Sequence, residues 1–176
     1  MSRPRQPIYR DNIQTDPLNL PPVARRIFSE TFEHLFEAQA FADFCDAAYG
    51  DQGTMVADLG RADVHWRIAE ALGQPIAYAK VTPLNAPASD PKPRAMELQQ
   101  IYVLPQWHGK GVAEELMRWS IHRAVQQSAP ELYLTVFDHN ERAKRFYARH
   151  GFREVGRCTF TLGGEDYDDR IWCKPL

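Results

Sequence analysis

Cysteine is scarce in this chain: of 176 residues only Cys45, Cys158 and Cys173 carry thiols, and no two form a C-x-x-C pair. An odd, scattered set speaks against a disulfide framework, and no histidine stands at the spacing a zinc site needs. Reduced thiols in a cytoplasmic protein are expected. Long apolar runs are lacking too. Nowhere do 18 apolar residues follow one another, and the basic start MSRPRQPIYRDNIQ has no apolar segment behind it, so neither a membrane span nor a signal peptide is read. Charge of one sign is also missing. With 21 Lys and Arg against 23 Asp and Glu, the net charge of −2 leaves no basic footprint for nucleic acid or an anionic membrane surface. His34, His65, His122, His139 and His150 are dispersed along the chain, and no metal is expected.

What is present suits one soluble domain: 44% hydrophobic and 25% charged residues over a length that can bury a sizeable core. Residues 1 to 16, rich in Arg, Pro, Asn and Gln, read as a flexible N-terminal arm, and 17 to 176 as a single domain without internal repeats. A first helix is expected to begin near Pro22 and run to Phe36, and a second to follow until Gly50. After a polar connection, DVHWRIAEAL and PIAYAKVTP flank a turn as an antiparallel hairpin. The proline-rich TPLNAPASDPKPRA reads as a surface connector, with length enough for a lid over a site as the alternative. MELQQIYVLP and ELYLTVF are strands, each followed by a helix, an order that implies parallel neighbours. The first of these helices carries Val112, Ala113, Leu116, Met117, Ser120, Ile121, Ala124 and Val125 on one face as core packing. REVGRCTFTL and EDYDDRIWCKPL close the chain as a second hairpin around Gly-Gly.

The junction LPQWHGKGVAEELM joins strand to helix through two glycines. Main-chain N–H groups at a helix start lack intrahelical partners and carry the positive end of the dipole, so glycines there let an anion such as phosphate come close. The loop is neither a Walker A loop, which needs G-x-x-x-x-G-K-[ST], nor a dinucleotide fingerprint, which needs a third glycine and a later acid. By itself, Gly-x-Gly also fits an ordinary strand-to-helix turn.

His108-Gly109-Lys110-Gly111-Val112-Ala113 resembles the GNAT superfamily motif: Gln or Arg, two residues, Gly, one residue, then Gly or Ala. Downstream, VFDHNERAKRFYARHGF resembles that family's second signature. The pair is far more specific than either part. The resemblance implies an α/β fold, a mixed, mostly antiparallel sheet with splayed central parallel strands flanked by helices. It implies acetyl-CoA as co-substrate, with Ile101, Tyr102 and Val103 bonding the pantetheine arm through main-chain groups and His108 to Ala113 gripping the pyrophosphate. Gly111 and Ala113 fill the small positions, while His108 replaces the usual Gln or Arg; Lys110 is placed to meet phosphate. Asn140 would cap the last helix and also touch pantetheine. Tyr147 stands where the family has the acid that protonates the leaving thiolate, and main-chain N–H groups of the strand, that of Ile101 first, would polarise the thioester carbonyl.

Glu97 matches the glutamate that deprotonates the incoming ammonium in some members, yet four strand residues set it about 13 Å from Ile101, so it reads either as that base through a bulge or water, or as a salt-bridged carboxylate. The implied activity is direct acetyl transfer to a primary amine without a covalent enzyme intermediate. A small polyamine-like or amino-acid-like acceptor leads: SETFEHLF loosely resembles the polyamine-acetylating bacterial branch of the family, and Glu30, Glu33, Glu37, Asp43 and Asp46 read either as an attraction for a polycation or as a solvated acidic helix face. A protein N-terminus or lysine, or a non-catalytic acyl-CoA sensor on the same fold, stand as alternatives. A homodimer is left open.

Overall fold

The computed structural model describes residues 6–13 and 15–176. In chain order it runs β1 (Ile8–Asp11), α1 (Asp16–Phe32), α2 (Ala38–Tyr49), α3 (Thr54–Leu59), β2 (His65–Ala71), β3 (Gln74–Pro83), β4 (Met96–Val103), α4 (Val112–Gln126), β5 (Glu131–Phe137), α5 (Glu141–Arg149), β6 (Arg153–Leu162) and β7 (Glu165–Pro175). One seven-stranded sheet has the order β1-β2-β3-β4-β5-β7-β6. Every pairing is antiparallel except β4 with β5, which is the mixed α/β arrangement expected from the sequence.

β3 is the spine. It is buried without interruption from Pro75 to Thr82, which an alternating half-exposed strand cannot be, so both sheet faces are covered there, with α1 and α4 packed against β3 and β4. The β2–β3 hairpin turns on Leu72 and Gly73, both at positive φ, the mirror-image turn that follows the natural strand twist. Trp66, Tyr78, Leu116, Met117 and Phe152 are fully buried in the main core, each aliphatic or aromatic side chain contributing about 1.5–3 kcal/mol of transfer free energy. On α4 the expected stripe is buried at Val112, Leu116, Met117, Ser120 and Ala124, whereas Val125 is exposed.

Three local expectations need correction. Of the residues read as a flexible arm, 1–5 and 14 lie outside the described residues, but Ile8–Asp11 pair with β2 as an edge strand. Arg10 anchors them, donating to both carboxylate oxygens of fully buried Asp16 at 2.9 and 2.8 Å and to Glu70. Asp16 lies six residues from Arg10 and Glu70 sixty, and no local pattern announces either contact. Helix α1 starts at Asp16 rather than near Pro22. Pro17 falls in the first turn, where a missing N–H costs nothing, and burial of Leu20, Pro21 and Ala24 outweighs the bonds lost at Pro21 and Pro22. Finally, the polar connection contains α3, too short for a periodic signal, with only Met55 and Leu59 buried.

Candidate active site

β4 and β5 pair only at Met96–Leu132 and Glu97–Tyr133, then separate. On its other side β4 stays bonded to β3, with one extra β4 residue, Gln99, accommodated by a bulge opposite Lys80 and Val81. The N–H of Leu104 donates to Ile76 O at 3.0 Å. Alternation along an antiparallel ladder therefore engages the main chain of Tyr102 with Tyr78 and turns the main-chain groups of Ile101 and Val103 toward the gap. Tyr102 offers the gap its ring instead, edge-on to Tyr78 at 5.7 Å.

Two cavities meet in this gap. The one beneath the glycine loop encloses 360 Å³ and is walled by Trp107, His108, Gly109, Ala113, Arg142 and Phe146. The other encloses 240 Å³ and is walled by aromatic rings of α1, α2 and β6 together with Gln100 and Asp169. Phe32, Ile101, Tyr102, Asn140 and Tyr147 line both, so these five residues form the junction.

The loop is shaped by Gly109 and Gly111, at φ +70° and +79°, where an L-residue is strained. A Cβ built on either glycine would meet no heavy atom within 4 Å, so the space in front of them is open. Gly111 is the N-cap of α4 and supplies no side-chain oxygen, which leaves the first-turn N–H groups without a capping side chain. His108 turns inward. Its Nε2 lies 2.8 Å from Val103 O and its Nδ1 2.8 Å from Arg142 Nη1. A guanidinium only donates, so Nδ1 accepts and Nε2–H donates to the carbonyl. The ring thus holds Arg142 of α5 at the wall of the loop cavity. Lys110 lies with its Nζ 4.9 Å from the centroid of the Trp107 ring.

Helix α5 begins at Asn140, whose Oδ1 accepts from Ala143 N at 3.2 Å. Asp138 locks this helix to the sheet, accepting from Lys144 Nζ at 2.7 Å and from Arg170 Nε and Nη2 at 2.8 Å. The Lys144 ammonium first, then Arg170, pull the Asp138 carboxyl down to about 2. About two turns beyond Asn140, half-buried Tyr147 reaches the junction between Phe146 and Phe152, with ring centroids at 5.7 and 6.1 Å. Burial, and then the Tyr102 hydroxyl, raise its pKa, so it holds its proton firmly at neutral pH.

Glu97 stands apart. It is 5% exposed, lines neither cavity, and its Oε2 accepts from the N–H groups of Asn85 and Ala86, both at 2.9 Å. It tethers the proline-rich connector. Four of the five acidic residues of the first helices are likewise engaged: Glu30 by Arg26, Asp46 by Arg25, Asp43 by Gln39, and Glu37 as the N-cap of α2. None lines either cavity.

Two wall residues were not anticipated from sequence, Arg142 and Asp169. Arg142 had a local signal, a basic residue in the first turn after Asn140, whereas Asp169 comes to the gap only through the register of β7 with β5 and β6. Among the described residues no group of three or more His, Cys, Asp or Glu is close enough to hold a metal ion, and no helix is long and apolar enough to cross a membrane.

Known proteins share this fold. A sequence model of the acetyltransferase (GNAT) family matches residues 22–152. An uncharacterized N-acetyltransferase of Mycobacterium bovis is 39% identical over 83 residues, 47% of this chain and 53% of that protein, so the chain matches about half the length of that relative. An uncharacterized N-acetyltransferase of Lactobacillus delbrueckii subsp. lactis is 23% identical over 154 residues, 88% of either chain. Among solved structures, the PaiA N-acetyltransferase of Thermoplasma acidophilum in complex with coenzyme A superposes with a TM-score of 0.77 at 18% identity, covering 97% of this chain and 99% of that one. At that identity the likeness establishes the fold. With the splayed parallel pair and the glycine turn both inside the matched stretch, this chain belongs to the GNAT acetyltransferase family.

Proposed function

We propose that the protein transfers the acetyl group of acetyl-CoA directly to a primary amine. The observation that carries the reading is the two-cavity gap between β4 and β5, with Tyr147 and Asn140 at its junction and the glycine loop at one end. When bound, the thioester supplies an activated acyl carbon.

The residues present fit such a ligand. The left-handed glycines and uncapped first turn of α4 form an open cradle of N–H donors for a pyrophosphate. Arg142, steadied by His108, brings to that wall the cation that the loop itself lacks at position 108. Main-chain groups of Ile101 and of Val103, whose carbonyl also serves His108, suit an extended pantetheine arm, and Asn140 keeps its Nδ2 hydrogens for it because the helix cap uses only Oδ1. Tyr147 would deliver its hydroxyl proton to the departing sulfur.

The test is direct binding, then turnover. Acetyl-CoA at 100 times its dissociation constant should stabilise the fold by about 2.7 kcal/mol, while ATP and NAD leave the melting temperature unchanged. Absence of any shift with acetyl-CoA or CoA overturns the reading. Thiol release from acetyl-CoA in the presence of amines then distinguishes a transferase from a sensor.

A further inference from the structure

The inner cavity carries chemistry that the acetyl-transfer reading leaves unused. Besides Phe137 of β5, its wall holds five phenylalanines: Phe28 and Phe32 of α1, Phe44 of α2, Phe160 of β6, and Phe36 between the helices. They pack as one cluster, Phe28 against Phe44 at 5.3 Å and Phe44 against Phe160 at 5.5 Å. Into this apolar wall comes one carboxylate, Asp169. No Lys, Arg or His lines the cavity among the described residues, and Asp169 has no donor there either. Its neighbour Arg170 is taken by Asp138. On the same wall Gln100 has a side-chain oxygen, Oε1, that is buried with no donor. A half-buried anion without a cation costs stability, and so does a buried carbonyl without a donor. One ligand relieves both: an ammonium, which donates three N–H bonds and attracts both the carboxylate and the aromatic faces.

The geometry points to Asp169 as the residue that anchors the acceptor's ammonium and takes its proton, and to a primary amine bearing one positive charge and an apolar, aromatic or alkyl tail as the acceptor class. This rests on the acetyl-transfer reading above. A polyamine would need a second carboxylate, and an amino acid a cation for its own carboxylate; the cavity wall has neither. The proton balance closes. Asp169 removes one proton from the ammonium, the freed nitrogen forms the bond to the acetyl carbon as the C–S bond breaks, the Tyr147 proton goes to the sulfur, and the second proton that the nitrogen sheds as it becomes an amide returns to the Tyr147 oxygen through solvent. The products are the N-acetyl amine and CoA, and the Asp169 proton leaves to solvent.

Burial, and then the adjacent Asp168 carboxylate, push the Asp169 carboxyl up to about 6. The other titratable groups facing the cavity or Asp169 are Tyr49 from α2, Tyr102 from β4, Tyr147 from α5 and Cys158 opposite on β6. Burial raises the pKa of each, so all four are neutral at pH 7 and Asp169 alone changes charge near neutrality.

The experiment measures acetyl-CoA binding by calorimetry, and thiol release with phenethylamine, putrescine and phenylalanine, for the wild type, Asp169→Asn and Asp169→Glu. Phenethylamine should have a kcat/KM at least about tenfold above the other two, since a charged group left unpaired in the cavity opposes them. The acid limb of its pH profile should lie near pH 6. Asp169→Asn should lower kcat/KM for phenethylamine by about 10²- to 10⁴-fold and abolish that limb, with acetyl-CoA affinity and melting temperature not reduced. Asp169→Glu should restore part of the rate. Full turnover by Asp169→Asn, or preference for putrescine or phenylalanine, overturns the proposal. Wild-type protein that binds acetyl-CoA but acetylates none of the amines overturns the acceptor class alone; failure to bind acetyl-CoA overturns the underlying reading as well.

Discussion

Replacing Gly111 by alanine separates what the loop does for the fold from what it does for a ligand. The residue sits at φ +79°, and the added methyl group meets no heavy atom within 4 Å, so its cost to the free protein is conformational alone. Holding an L-residue in the left-handed region costs about 1–2 kcal/mol. For a chain of this length each kcal/mol lowers the melting temperature by about 2–4 °C, so a fall of about 2–8 °C is expected. The second effect is on binding. The methyl group occupies the open space before the α4 N–H groups, where an anion must approach, and losing one charge-assisted hydrogen bond worth about 1.5–3 kcal/mol weakens CoA about 10- to 100-fold. Gly73→Ala is the matched control. It also sits at positive φ with nothing within 4 Å, but in the β2–β3 turn, away from the glycine loop and the start of α4. Thermal melts of the free proteins and calorimetric titration with CoA read both effects. Equal CoA affinity in the two variants refutes the cradle, and leaves the glycines as turn residues only.

Other substitutions probe separate links of the argument. Tyr147→Phe keeps the ring between Phe146 and Phe152 and removes the proton; kcat for thiol release should fall by about 10²- to 10⁴-fold with acetyl-CoA affinity retained, and an unchanged kcat with chemistry rate-limiting would displace Tyr147 as the acid. Glu97→Gln should leave kcat and its pH profile unchanged, because the carboxylate is spent on the Asn85 and Ala86 N–H groups; loss of a pH limb in this variant would return Glu97 to the reaction. Asp16→Ala strands Arg10 against the sheet and should cost about 3–5 kcal/mol in urea unfolding, with much of it recovered by Arg10→Met in the same chain; a cost below about 1 kcal/mol would mean that β1 is not anchored through this pair.

The parts of the molecule that could be read from sequence are those decided locally. A strand broken by Pro105, two glycines and an amphipathic helix specify β4, the loop and α4 within a short span, and Asn140 with Gly151 bracket α5 in the same way. Helix α1 was misplaced because proline is a local signal of stopping, and here the tertiary burial of Leu20 and Pro21 overrode it. The site divides along the same line. Tyr147 and the glycines carry motif spacing, but whether a carboxylate is free depends on who else reaches it. Glu97 is consumed by a loop 11 and 12 residues away in sequence, and Asp169 is left alone because its neighbour Arg170 turns to Asp138. Likewise the acidity of α1 and α2 is plain in composition, and the Arg26–Glu30 pair follows from helical spacing, while the pairing of Asp46 with Arg25 needs the two helices to be packed.

The parting of β4 from β5 also bears on how the protein avoids its own kind. A strand with unpaired main-chain groups is ordinarily a template on which another chain can crystallise into sheet, and proteins defend their outer strands against it. Here the unpaired stretch lies in the middle of the sheet, with Phe28 and Phe32 of α1 on one bank and Phe146 and Tyr147 of α5 on the other. A second polypeptide strand, with side chains projecting from both faces, would have to displace these rings to pair there, whereas a slender, unbranched ligand asks for less room, so the rings that cover the exposed backbone also favour what may touch it.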